Sequence, residues 1–184
     1  MTMPIRMTMP ALATTAAAAA LAVTLAGIVP ISAGGDKIAF PADYGKGVMY
    51  FTFDAPPNKT FRELYVSQAA IDAAKKGEPL PSGTVITMVQ YAAKLDAQGN
   101  PEKDANGRFI KTDTIAGYGV MEKRAGWGTE YPENVRNGDW EYQVFKADKT
   151  PNTAAKLDAC FACHKPEAKG DFVFSYDKMK TAAK

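Results

Sequence analysis

The sequence is nearly without histidine and cysteine: it holds one histidine, His164, and two cysteines, Cys160 and Cys163. That scarcity excludes a good deal. A framework of several disulfides cannot be drawn, and a closed four-ligand Cys/His zinc site lacks its second pair of ligands. Charge of one sign is also missing. The formal net charge is +2, and the lysines and arginines are scattered rather than gathered into a stripe, so nothing marks a nucleic-acid surface. No internal repeat is visible at any solenoid period.

Charge is scarcest at the start, where Arg6 is the only charged residue before Asp36. An apolar run from Ala11 to Val29 follows, then Pro30-Ile31-Ser32-Ala33. A positive start, an apolar stretch and a small-residue exit predict a secretory signal peptide over residues 1–33, with cleavage after Ala33. The alternative is an uncleaved anchor, since the run approaches the ~20 residues of a membrane span. With cleavage, no stable span remains. The expected mature part, residues 34–184, is one domain's worth of chain. An exported chain of this kind is expected in the periplasm.

Within it, Val48–Phe53 is apolar and aromatic and ends at Asp54-Ala55-Pro56-Pro57-Asn58, a strand followed by a turn. Phe61–Val66 alternates with period two, a second strand. Ser67 caps a short helix over Gln68–Lys76, closed by Gly77 and Pro79. Thr84–Ala92, rich in β-branched residues, is a third strand. Leu95–Ile110 carries two turn signals and reads as a long exposed hairpin loop. Thr114–Lys123 and Asp139–Lys146 are the fourth and fifth strands, joined by a turn-rich link over Gly126–Asn137. Asn152-Thr153 is expected to start a helix that runs into the cysteines, and Phe172–Phe174 to form a short strand or extended piece. Consecutive strands with short links favour antiparallel pairing. The fold class is therefore α+β: a mainly antiparallel sheet with short helices.

Residues 160–164 read Cys-Phe-Ala-Cys-His. C-x-x-C-H is the attachment signature of c-type haem. Two thiols three positions apart lie on one side of a helical turn, where each can form a thioether with a porphyrin vinyl group. The next residue then sits at the iron, and imidazole is a common axial ligand. A redox dithiol, half a zinc site with His164 as third ligand, or a structural disulfide are the alternatives. Both cysteines and the only histidine fall in this one signature of an exported chain, which favours one covalent haem c, on a C-terminal helix, with His164 on the metal. Bis-histidine ligation within one chain is excluded. Past residue 33 the sixth-ligand candidates include Met49, Met88, Met121 and Met179. Methionine ligation would make an electron carrier, although a strand methionine is more often core. An open distal face would instead bind a small molecule.

The chain resembles the cytochrome P-460 family, which includes the cytochromes c′-beta. The resemblance rests on Arg62, Leu64, Tyr65 and Val66, on Gly83-Thr84-Val85, on Gly138–Phe145 (GDWEYQVF), and on the late C-x-x-C-H followed by Asp171–Phe174 (DFVF). It spans nearly the whole mature part. It implies a mainly antiparallel β fold, a homodimer, and a five-coordinate haem c on a late helix. Members of one kind join a strand lysine to the porphyrin and oxidise hydroxylamine. The c′-beta kind lack that bond and bind nitric oxide or carbon monoxide in an apolar pocket. Here the cross-link lysine would fall near Met88, and no lysine stands between Gly83 and Ala93. Lys94 is six residues too late. The carboxylate expected before the haem motif would fall near Ala155, where no acid stands.

The expectation is a five-coordinate haem c protein that binds a ligand such as nitric oxide. A hydroxylamine or nitric oxide oxidoreductase and a His/Met electron carrier are the alternatives. The residues name no redox partner. Arg62 is a candidate for the distal pocket, where its permanent charge would hold an anionic ligand, or else an ion-paired surface arginine. Phe51, Phe53, Phe61 and Met88 are candidates for the haem wall or for plain core. Trp127 and Trp140 are core or haem-packing aromatics.

Overall fold

Turn chemistry and alternation decide the sheet. The computed structural model describes residues 37–183; the expected signal segment, residues 1–33, lies outside them. Five strands pair only with their sequence neighbours, giving an antiparallel meander in the order β1 (Val48–Ala55), β2 (Thr60–Val66), β3 (Val85–Ala93), β4 (Lys111–Lys123) and β5 (Trp140–Phe145). Pro56–Asn58 makes a single 3₁₀ turn that reverses β1 into β2. The loop before β4 is two successive tight turns, each organised by an aspartate. Asp96 accepts from the Gln98 and Asn100 amides, and Asp104 from those of Asn106 and Arg108. Among the described residues no helix is long and apolar enough to cross a membrane.

Helix α1 (Gln68–Lys76) has the expected bounds: Ser67 Oγ accepts from the Ala70 amide, and Gly77 ends it at φ 76°. It buries Ala70, Ile71 and Ala74 and packs with α3 (Tyr176–Lys180). Between them in sequence lies α2 (Leu157–His164), followed directly by a 3₁₀ segment over Lys165–Gly170.

Two expectations near the C-terminus are corrected. The helix leading to the cysteines starts at Leu157, not at Asn152-Thr153. Asn152 turns its side chain onto the Ala154 amide while its own amide bonds the Val144 carbonyl, so local bonding takes the backbone away from helix. Phe172–Phe174 is not a strand. Asp171 and Phe172 have φ of 53° and 61°, which reverses the chain.

The period-two alternation gives the sheet two unlike faces. One packs Val89, Tyr118, Val120 and Phe145 against Ile38, Phe40 and Tyr44 from the segment before β1. The other, together with α1, α2 and α3, holds the main core around Leu64, Ile86, Trp140 and Tyr142.

Candidate haem-binding site

The register sets three side-chain rows across the second face. Phe53 faces Arg62, and Arg62 faces Gln90; Phe51, Leu64, Met88 and Gly119 form the next row, with Val144 beyond. Ile86, Met121 and Tyr142 make the third. These rows are one wall of a cavity of about 1060 Å³, at the upper end of the ~300–1,000 Å³ usual for cofactor sites.

Helix α2 closes the opposite side. Cys160, Cys163 and His164 are spaced i, i+3, i+4, which places them on one helix face, and all three line the cavity. Phe161 points the other way and anchors the helix. It is buried against Tyr131 and Tyr142, with ring centroids 5.0 and 4.8 Å away. Its carbonyl accepts from the buried Asn137 side chain at 2.9 Å. The two cysteines are not joined to each other in a disulfide. Burial pushes the Cys160 thiol above its usual range, with Cys163 adding to the shift.

His164 is held in one orientation. Its Nδ1 donates to the Phe172 carbonyl at 2.7 Å, and its ring lies against Tyr142 and Phe174, with centroids 4.9 and 5.0 Å away. Burial keeps its pKa below the ordinary value, partly opposed by the Phe172 carbonyl and Glu167. A neutral ring with Nδ1–H engaged leaves the Nε2 lone pair free, the form that binds a metal.

Arg62 lies on the cavity wall, not on the outer face. Its guanidinium donates to Asn58 Oδ1 at 3.0 Å, to Thr60 Oγ1 at 3.3 Å and to Met88 Sδ at 3.7 Å, and stacks 5.5 Å from the Phe53 ring centroid. Each of these partners is neutral. Burial lowers its pKa, though an arginine remains a cation. Met88 and Met121 both line the cavity, whereas Met49 is exposed and Met179 is buried in the core. Among the described residues no aspartate or glutamate lines the cavity, and its one lysine is Lys178, from α3 rather than from a strand. Lys94 is outside, paired with Glu102 at 2.7 Å.

Phe51 and Phe53 are wall residues, but Phe61 is not. It alternates with Arg62 and so faces the other way, beneath the Arg108 guanidinium. Trp140 is wholly buried in the main core and Trp127 packs on the opposite face of the sheet, with Ile38 and Phe40; neither lines the cavity. The residues that sequence reasoning missed are Tyr142, Phe172, Phe174 and Lys178. Tyr142 was within reach, because it keeps the parity of Val144 in the alternating GDWEYQVF stretch. Phe172 acts through its carbonyl, which no side-chain pattern reports.

The residues fit haem on three grounds that do not depend on any relative. The thiols and the oriented imidazole share one helix face, the opposite wall is apolar, and the volume is right for a large planar group. A comparison with curated proteins gave no match. A family model described as Cytochrome P460 matches residues 41–175, from just before β1 to the turn that precedes α3, and the chain accordingly belongs to the cytochrome P460 family of haem-binding cytochromes.

Proposed function

We propose that this chain is an exported, periplasmic mono-haem c-type cytochrome whose iron, held by His164, binds a small ligand such as nitric oxide on its open face. The observation that carries the reading is the shared orientation of Cys160, Cys163 and His164 into one apolar cavity. Cys160 and Cys163 each supply a sulfur for a thioether, and His164 supplies Nε2. Haem bound there provides an iron with one coordination position for an exogenous ligand.

The chain's own residues then set what that ligand meets. Phe51, Phe53 and Leu64 exclude water from the strand side. Arg62 brings a positive charge that no carboxylate neutralises within bonding distance among the described residues, suited to an anionic or strongly polarised nitrogen oxide. Among the described residues the cavity lining offers no carboxylate to take a proton and no strand lysine for a porphyrin bond, which favours ligand binding over hydroxylamine oxidation. A His/Met electron carrier is the second reading, favoured by Met88 and Met121 on the cavity wall. A homodimer is part of the proposal by family resemblance.

The test is the optical spectrum of protein matured with haem, paired with mass spectrometry of its tryptic peptides. The expected result is a high-spin ferrous spectrum that shifts with nitric oxide or carbon monoxide, and haem on the Cys160–His164 peptide alone. A stable low-spin His/Met spectrum would overturn the open-site reading. A strongly red-shifted Soret band with a second haem-bearing peptide would establish the enzyme reading.

A further inference from the structure

We propose that Asp171, through its ion pair with Lys123, is a positioning residue for His164: it holds the turn whose carbonyl sets the imidazole's hydrogen bond and electron-donating strength. The inference rests on the reading of His164 as iron ligand. Asp171 itself does not touch His164.

The chain reverses at Asp171 and Phe172, two consecutive non-glycine residues at φ 53° and 61°. Aspartate tolerates this region, but a bulky aromatic there is an outlier that its surroundings must hold in place. The reversal brings the Phe172 carbonyl back onto His164 Nδ1, eight residues earlier, at 2.7 Å. Its backbone bonds are local: Phe172 N to Glu167 O at 2.8 Å and Val173 N to Gly170 O at 2.9 Å.

Besides the packing of Phe172 and Val173 on the main core, what fastens the turn to the rest of the molecule is the Asp171 carboxylate. Its two oxygens accept from Lys123 Nζ at 3.0 and 2.8 Å, and one also accepts from the Leu80 amide at 2.9 Å. Lys123 is the last residue of β4, and Leu80 lies between α1 and β3. One carboxylate therefore ties the turn to two separate parts of the domain. The two side chains are only 15% and 14% exposed, so this is not a solvated surface pair, and removing one partner strands the other. Without the tether the left-handed backbone rests on the packing of Phe172 and Val173 alone, and the carbonyl is expected to move off Nδ1. A hydrogen bond at that nitrogen raises the basicity of a metal-bound imidazole. Its loss weakens donation to the iron.

The experiment is resonance Raman of the ferrous holoprotein, reading the iron–histidine stretch, with the midpoint potential as a second readout. Asp171→Gly removes the carboxylate yet permits the same φ. Lys123→Met leaves Asp171 and its backbone in place and decides the matter if the first variant does not load haem. Both are expected to move the stretch to lower frequency and the potential upward, while Lys123→Arg keeps wild-type values. An unshifted stretch in a haem-loaded variant of either kind, even with a lower melting temperature, reduces Asp171 to a stabilising residue and overturns the proposal. If the ferrous wild type shows no iron–histidine band at all, it is the reading of a five-coordinate iron on His164 that fails, not the tether.

Discussion

A Cβ on Gly119 would lie 2.9 Å from the Cε of Met88. The two residues are direct partners on the β3–β4 ladder, and the missing side chain is the space that the thioether occupies. Arg62 donates to the same sulfur. Gly119, Met88 and Arg62 thus form one unit of the strand wall, in which each residue limits where the next can stand.

Gly119→Ala should displace Met88 with little cost to the fold, under about 1 kcal/mol, because the clashing atom is the free end of a flexible side chain. Gly128→Ala is the contrast. Its Cβ would meet the Gly138 carbonyl oxygen at 1.7 Å, a backbone atom that cannot swing away, and the cost should reach about 3 kcal/mol or more. Thermal unfolding of the two variants measures both. Only the first should keep a folded protein with an altered ligand-binding spectrum.

Arg62→Leu should weaken anion binding to the ferric protein by ~10- to 100-fold, the value of a lost charge-assisted hydrogen bond. Carbon monoxide binding to the ferrous protein should change far less. Titration with azide or nitrite against carbon monoxide separates the two effects. Equal losses for both ligands would mean that Arg62 shapes the cavity rather than charging it.

Phe161→Ala should destabilise the protein by about 3–5 kcal/mol, since the ring is buried between Tyr131 and Tyr142. The change removes the anchor of α2 without touching a thiol or the imidazole. Denaturant unfolding reports the stability, and the fraction of protein carrying haem after maturation should fall with it.

Glu141 gives a pH signature. Its carboxylate is fully buried, accepting from the Tyr131 hydroxyl at 2.9 Å and from Lys37 at 3.4 Å. Burial nonetheless leaves its pKa above the ordinary 4.5. An acid raised in the fold contributes fully while protonated in both states, and that contribution is lost as pH climbs through the folded value. Glu141→Gln cannot lose it. The melting temperature of the variant relative to wild type should therefore rise between about pH 4 and pH 7. A flat difference would mean that Tyr131 and Lys37 fully offset the burial.

Much of the architecture was legible because local signals were strong. Ser67 and Gly77 bound α1 unaided, and the alternation in β2 and β5 placed Arg62 and Tyr142 on a definite face. The structure departs from the expectations where one local interaction outweighs a pattern. Asn152 looks like a helix cap but bonds its own turn. Phe172-Val173-Phe174 looks like a strand but follows Asp171 into left-handed backbone. Phe61 shares its residue type with Phe51 and Phe53, while alternation with Arg62 turns it away from the cavity. The C-x-x-C-H motif could be read outright, whereas Lys178 reaches the same cavity from a helix more than a dozen residues further on, a relation that only tertiary packing creates.

The neighbour-only strand order has a consequence for assembly. Each pairing closes a connection between consecutive strands, so no strand has to be inserted between two that are already paired. The strand wall is complete in sequence at Phe145, before the thiols and imidazole of α2 are reached. The wall therefore comes from one stretch of sequence and the helix bearing Cys160, Cys163 and His164 from a later one, so the two sides of the cavity meet only through the packing of α2 on the sheet.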